Sequence, residues 1–320
     1  TPTPSSAASD VYKRQGRVIE LKSYKFFTCD VFTNTRFSGN QLAVVPEAEG
    51  LTGDQMQKIA KEFNFSETTF VLKSEMNVNR KVRIFTPNEE LPFAGHPNIG
   101  TACVLALDKD VNDIVAPVNV LFEELAGVVE IQISQDDNEI LFCELKAPEK
   151  FSLGAKVPSS QLAQVLSLEE SEIDASIHVP MEASVGLKFL FINISSMQAL
   201  RKIRVDLARL SKLSSSGIST NLHCYYLDNE KNCINARMFA PDLGVREDPA
   251  TGSANCALVG LLAHFRQCNS GMFSWNINQG IEMGRPSQLF ARASKIDGKV
   301  ADVWIGGNSV LVSEGRILLD

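Results

Sequence analysis

The sequence predicts an α+β fold made of two pseudo-symmetric halves, each a barrel-like antiparallel sheet wrapped around one central helix. Three observations lead there. First, the chain repeats itself: "RIFTP…FAGHPNIGTA" matches "RMFAP…REDPATGSA". Arg83, Phe85 and Pro87 stand against Arg237, Phe239 and Pro241, and His96, Pro97, Gly100 and Ala102 against Asp248, Pro249, Gly252 and Ala254. Second, "TACVLAL" and "GSANCALVGLLAHF" are apolar on every side, the mark of a helix buried all round. Third, the segments around them alternate in strand fashion.

In chain order, "SYKFFTCDVF" and "NQLAVVPEA" are strands bounded by polar or Gly-Asn punctuation. Thr52 and Gln55 have capping-box spacing, and Met56, Ile59, Ala60 and Phe63 recur at helical intervals. "TTFVLK" and "KVRIFTP" are two more strands, and the first apolar helix follows. "NVLFEEL", "GVVEIQIS" and "EILFCEL" alternate as hairpin strands. "KAPEKFSLGAKVPSS", rich in Pro, Gly and Ser, is the expected linker. Beyond it "SSQLAQVLSL" and "VDLARLSKLSS" are helical, and "KFLFINI", "LHCYYL" and "CINARMFAP" are strands. The second apolar helix precedes strand-like "IEMGRP", "LFARASKIDGKVADVWIGG" and "SVLVSEGRILL", with Asp297-Gly298 as a hairpin turn. The domains expected are 18–147 and 155–320, the last strand being free to return to the first domain. Residues 1–17, Ser/Thr/Pro/Ala-rich and then basic without an apolar core, read as a disordered or foreign leader.

Composition excludes several classes. No run of about 18 apolar residues predicts a membrane span. A net charge of −7 without a basic block argues against nucleic acid as a partner. Seven cysteines, odd in number and without a CxxC, are expected to be reduced, mainly core thiols of a cytoplasmic protein. Four histidines show no HxxxH spacing, so no metal is expected. There is no GxGxxG or P-loop pattern, and "TGSAN" is not a nucleophile elbow.

The repeat points to a site. If the halves face each other, both helix N-termini open into one cleft, each with free backbone N–H groups and a partial positive charge. Such ends bind carboxylates or phosphates, so the expected ligand is a small anion. Pro97 suits a first helical turn, where its missing N–H is not needed. Gly95 and Gly252 keep side chains out of the way, and Ser253 at the same helix start offers substrate a hydroxyl. His96 and Asp248 supply a proton donor and acceptor of unlike type. Glu67, opening a strand among Phe65, Phe70 and Val71, supplies a carboxyl whose apolar surroundings raise its pKa toward neutrality. Taken singly, each has a bland role: a helix-start histidine is commonly a cap, Asp before Pro an N-cap, and a strand-edge Glu a solvated charge. The paired helix starts set these apart.

"DVFTNTRFSGNQLAVV", "NFSETTFVL", "RIFTPNEELPFAGHPNIGTA" and "EDPATGSANCALVGLL" closely resemble the phenazine-biosynthesis PhzF-like family, which has the diaminopimelate epimerase-like fold. The likeness runs from Lys22 to nearly the end, with 150–235 matching only in outline. It implies two barrel-like domains with the active site between them, a homodimer, and isomerase chemistry on a small carboxylated metabolite without cofactor or metal. The family's substrate in phenazine synthesis is trans-2,3-dihydro-3-hydroxyanthranilate: a proton shifts along the ring, and the enol then becomes a ketone. Carried over, the acid/base glutamate falls on Glu67, the Gly-His pair on Gly95 and His96, and the Asp-Pro-x-Thr-Gly-Ser motif on Asp248 to Ser253. Related epimerases and racemases place a cysteine at each helix start; here Cys103 and Cys256 lie deeper, which disfavours that chemistry. An epimerase or racemase using the same cleft, and a non-catalytic binding protein on this fold, stay open at this point.

Overall fold

A computed structural model describes residues 21–108, 114–228, 230 and 233–319; the segment read as a leader lies outside the described residues. The first half runs β1 (Lys22–Val31), β2 (Asn40–Val45), α1 (Gly53–Phe63), β3 (Glu67–Leu72), β4 (Arg80–Phe85), β5 (Glu90–Leu91), α2 (Gly95–Leu107), β6 (Val118–Glu124), β7 (Gly127–Gln135) and β8 (Leu141–Lys146). Then come β9 (Ser152–Lys156), α3 (Ser159–Leu166), β10 (Met181–Ser184), β11 (Lys188–Asn193), α4 (Met197–Lys202), α5 (Leu207–Ser214) and β12 (Leu222–Asp228). The chain ends with β13 (Cys233–Ala240), β14 (Val245–Asp248), α6 (Gly252–Phe265), β15 (Gly271–Gln279), β16 (Ser287–Ile296) and β17 (Lys299–Leu319). This is the α+β architecture expected.

The pairing of the first half recurs step for step in the second. β1 and β2 are antiparallel, β2 and β3 parallel, β3 to β5 antiparallel, β4 and β6 parallel, and β6 to β8 antiparallel. Likewise β10 and β11 are antiparallel, β11 and β12 parallel, β12 to β14 antiparallel, β13 and β15 parallel, and β15 to β17 antiparallel. Closure comes from across the molecule. β17 pairs with β8 over Trp304–Asn308, then with β1 from Ser309 to Leu319. β9, continuing from β8, pairs with β10. Thus the stretch expected to be a linker carries a strand of the sheet. "IEMGRP" is a single 3-10 turn over Ile281–Met283, not a strand, because Gly280 and Gly284 on either side have left-handed φ of 76° and 72°.

Each barrel encloses one helix. α2 is buried from Gly95 to Leu105 and packs on β1, β2, β3, β7, β8 and β17. α6 packs on β10, β11, β15, β16 and β17. A helix with no polar face is stable only in such a place. Gly100 marks the closest approach. A Cβ there would stand 2.5 Å from Leu42 Cδ2 and 2.7 Å from Val31 Cγ2, both fully buried. Gly100→Ala is expected to destabilise the protein by about 1–3 kcal/mol, the usual range for overpacking a closed core. A urea melt checks this; an unchanged midpoint would show that β1 and β2 give way freely.

Outside the barrels, α1 starts with the expected capping box: Thr52 Oγ1 accepts from Gln55 N at 3.2 Å, and Gln55 Oε1 accepts from Thr52 N at 2.9 Å. Its Met56 and Ile59 pack on Phe70 and Phe85. On the second half α3, α4 and α5 cover the matching face through Leu162, Leu200 and Leu210, which cluster with Phe239 of β13. No helix among the described residues is long and apolar enough to cross a membrane.

Candidate active site

The matched arginines show how the halves correspond. Arg83 donates from Nε and Nη2 to both Glu90 oxygens, each at 2.7 Å, and its guanidinium lies 5.1 Å from the Phe85 ring centre. Arg237 grips Glu247 at 2.7 and 2.9 Å and lies 4.9 Å from the Phe239 ring. Glu90 therefore corresponds to Glu247. Past these glutamates, the helices align Gly95 with Gly252, His96 with Ser253 and Asn98 with Asn255. Both asparagines donate from Nδ2 to the carbonyl four residues back, Ala94 at 3.1 Å and Thr251 at 3.0 Å. This corrects the sequence match, which set His96-Pro97 against Asp248-Pro249. Pro97 is in the first turn of α2, as expected. Pro249 precedes the N-cap of α6, so helix-start geometry does not explain it.

The two helix starts meet end to end. A Cβ on Gly95 would lie 3.3 Å from Gly252 Cα, and one on Gly252 would lie 3.4 Å from Gly95 Cα. A Cβ on Gly95 would make the helices give by a few tenths of an ångström, and one on Gly252 would only just fit. Their N-caps, Ala94 and Thr251, form no side-chain cap. Free N–H groups from both helices therefore point to one place, an arrangement that attracts an anion.

Three elements bring the acid/base candidates to that place. Glu67 opens β3, His96 is the second residue of α2, and Asp248 ends β14. His96 Nε2 and Glu67 Oε2 are 3.3 Å apart, with side chains 7% and 16% exposed. Both atoms are buried and neither completes a hydrogen bond. Asp248 is fixed more firmly. Asn40 Nδ2 donates to its Oδ1 and to the Ala250 carbonyl, both at 3.0 Å, and stands 3.5 Å from His96 Nδ1. Thr251 Oγ1 donates to the other Asp248 oxygen. Ser66 Oγ donates to Asn40 Oδ1 at 3.2 Å, which orients the amide. Behind this layer Gln279 Nε2 donates to the Asp248 carbonyl at 2.8 Å and to Thr251 Oγ1 at 3.0 Å, while its Oε1 accepts from Asn255 Nδ2 at 2.8 Å. Asn255 Oδ1 in turn accepts from His223 Nε2 at 3.1 Å.

Burial sets the charge states. It raises Glu67 to about 8, and the neighbouring Asp248 adds to the rise. It raises Asp248 to about 6, against the hydrogen bonds from Thr251 and Asn40. It lowers His96 to about 3, opposed by a hydrogen bond with the Gln41 backbone. At neutral pH the 3.3 Å approach is therefore a contact between a neutral imidazole and a mostly protonated carboxyl, not an ion pair. A carboxyl poised near neutrality beside a neutral ring can take a proton from one atom and return it to another.

Ser253 is at the mouth of α6, where its backbone N lies 3.4 Å from the Cβ position of Gly95. The helix cysteines are elsewhere: Cys103 and Cys256 are buried, and burial pushes the Cys103 thiol up to about 12. Sequence reasoning missed Asn40 and Gln279 as parts of the site, and had Thr251 only as a member of the Asp248-to-Ser253 motif, with no role of its own. For Asn40 a signal existed in the preceding Gly39, whose φ is +65° and whose Cβ would strike the Val31 carbonyl at 2.4 Å. A turn that only glycine can make delivers Asn40 to the site. Among the described residues no group of three or more His, Cys, Asp or Glu is placed to hold a metal ion.

Residues 29–315 match the phenazine biosynthesis-like protein family, PhzC-PhzF. An uncharacterized isomerase of Mesorhizobium japonicum is 35% identical over 307 residues, spanning 93% of this chain and 100% of its own length. Trans-2,3-dihydro-3-hydroxyanthranilate isomerase of Pseudomonas aeruginosa is 33% identical over 307 residues, spanning 92% of this chain and 100% of its own. The crystal structure of a PhzF-family phenazine biosynthesis protein of Bacillus anthracis superposes with a TM-score of 0.82 at 24% identity, covering 93% of this chain and 100% of that one.

Proposed function

Since the chain belongs to the phenazine biosynthesis-like family and is an isomerase, we propose that it moves a proton on a small carboxylated metabolite by general acid/base catalysis without cofactor or metal. The observation that carries this reading is the unpartnered pair of buried atoms, Glu67 Oε2 and His96 Nε2, beside two uncapped helix starts. The N–H groups of Gly95, Gly252 and Ser253 hold the substrate carboxylate. Ionised Glu67 takes a proton from a carbon next to an unsaturated system. The C–H electron pair moves into that system, and the proton returns to a carbon further along. Nothing is gained or lost, so the net change is isomerisation. His96 and Asp248 hold the substrate's polar groups or carry a second proton transfer, from enol to ketone. The same reading includes a homodimer in the cytoplasm; light scattering on the purified protein tests the dimer.

The test uses the protein in heavy water with trans-2,3-dihydro-3-hydroxyanthranilate, the compound named for the Pseudomonas relative. Absorbance change together with deuterium on product carbon supports the reading. Neither event, on this compound or on a panel of carboxylated metabolites, overturns it. The pH profile adds a check. With Glu67 acting first as base, kcat/KM rises about tenfold per pH unit up to about 8 and then levels. Below about 6, protonation of Asp248 steepens the slope. His96 stays neutral throughout and adds no limb. A flat profile between pH 6 and 9 would remove Glu67 from the role of base.

A further inference from the structure

The pseudo-symmetry exposes a buried carboxyl that the proton transfer does not use. In the parallel pairing of β4 with β6, Lys81 stands opposite Glu123, which places Val82 opposite Glu124. In β13 with β15, Ala236 stands opposite Gln279. Arg83 corresponds to Arg237, so Val82 corresponds to Ala236, and Glu124 to Gln279. The burial pattern agrees. Val120 and Phe122 face the core and Glu124 follows them two residues on; Trp275 and Ile277 do the same before Gln279. Glu123, between them, turns the other way to Lys81 and Ser74.

Gln279 braces the approach to α6. It binds Asn255, the Asp248 carbonyl and Thr251. By the same correspondence Asn98 stands for Asn255 behind α2, and Leu91, opposite Ile84, stands for Asp248, opposite Met238. Glu124 is 8% exposed there, and neither carboxyl oxygen closes a hydrogen bond; Asn98 Oδ1 is equally unpartnered. Three orphaned buried oxygens in one place are costly unless one of them carries a proton. Glutamine has a donor on its second arm. A carboxyl has one only when protonated, and burial raises this one to about 8, against the lowering effect of the Asn98 side chain beside it.

We propose that Glu124 is the first half's counterpart of Gln279: a positioning residue that, as a proton-bearing carboxyl, braces the 91–95 approach to α2 and so fixes His96 and the Gly95 amide. The activity arm of its test rests on the function proposed above; the exchange arm does not. Hydrogen exchange is measured over 91–98 and, as internal control, over 248–255. Glu124→Ala is expected to speed exchange over 91–98 about tenfold and leave 248–255 unchanged, while Glu124→Gln stays near wild type. In turnover of trans-2,3-dihydro-3-hydroxyanthranilate, the alanine variant loses about tenfold in kcat with little change in KM, and the glutamine variant restores it. A wild type inactive on that compound would count against the proposed function alone, and exchange then decides the role of Glu124. Unchanged exchange over 91–98 in the alanine variant, or a glutamine variant as loose as alanine, overturns the proposal. Glu124→Asp, which draws the carboxyl back by one methylene, replaces alanine in the comparison if that variant does not fold.

Discussion

Replacing Glu67 with glutamine lowers turnover by about a thousandfold or more, within the range for loss of a general acid/base, and leaves a folded protein. The two effects are separable because the charged form of Glu67 is what burial opposes. Its pKa is 4.5 ordinarily and about 8 in the fold. Between those values the folded protein holds a proton that the unfolded chain has released, so Glu67 subtracts stability as pH rises from 4.5 to about 8. Glutamine removes that loss. The variant is expected to melt at the wild-type temperature near pH 4.5 and above it at pH 8, while its activity is gone at both. Melting curves at the two pH values, with turnover followed by absorbance, check this. A variant retaining a tenth of the activity would assign the proton to another group.

The largest effect on stability is expected from Arg237→Ala. The side chain is 9% exposed and grips Glu247, and its Nη1 also donates to the carbonyls of Leu200, Arg201 and Ile203 at 3.1 to 3.2 Å. Alanine leaves Glu247, 16% exposed, and the Arg201 and Ile203 carbonyls without that donor, while the Leu200 carbonyl keeps only the long bond from the Ile203 N–H at 3.4 Å. Removing one member of a buried pair costs about 3–5 kcal/mol. Arg83→Ala deletes the corresponding pair, but there the side chains are 26% and 22% exposed and, among the described residues, no backbone carbonyl accepts from the guanidinium. Water takes over part of the role, and about 1 kcal/mol is expected. Urea denaturation of the two variants side by side tests the contrast; equal losses would mean that the extra carbonyl contacts of Arg237 are worth nothing.

Much of this was legible beforehand, and the reasons are local. The capping box at Thr52 and Gln55 depends on four residues. The turn at Asp297-Gly298, with φ of 48° and 76°, depends on two. The inner helices announce themselves by lacking any polar face. Glu67, His96 and Asp248 do converge, although the alignment that paired His96 with Asp248 was five residues out. It was misled because both motifs contain a proline, one inside a helix and one before it. Glu90 and Glu247 hold the true register, and only their arginine partners reveal it. Gln279 and Glu124 were not legible because a polar residue at an inward strand position looks the same in sequence as one at an edge, whereas Asn40 had only the glycine before it as a signal. β9 was hidden in Pro- and Gly-rich sequence since all five of its residues are exposed and carry no burial pattern. β15 was missed because polar residues fill its outward positions.

The exchanged closing strands bear on how the chain reaches its fold. Lys22 pairs with Leu319, and Val31 with Ser309. The first barrel therefore has an open edge beside β1 until residues 309–319 have been made. During synthesis α2 leaves the ribosome long before its sheet can shut around it. Contacts so distant along the chain are formed late and slowly, since a large loop must close before any of them is made. In that interval an unpaired strand edge and a wholly apolar helix are open to other chains. The last eleven residues of β17 are thus the latch of the half that is made first.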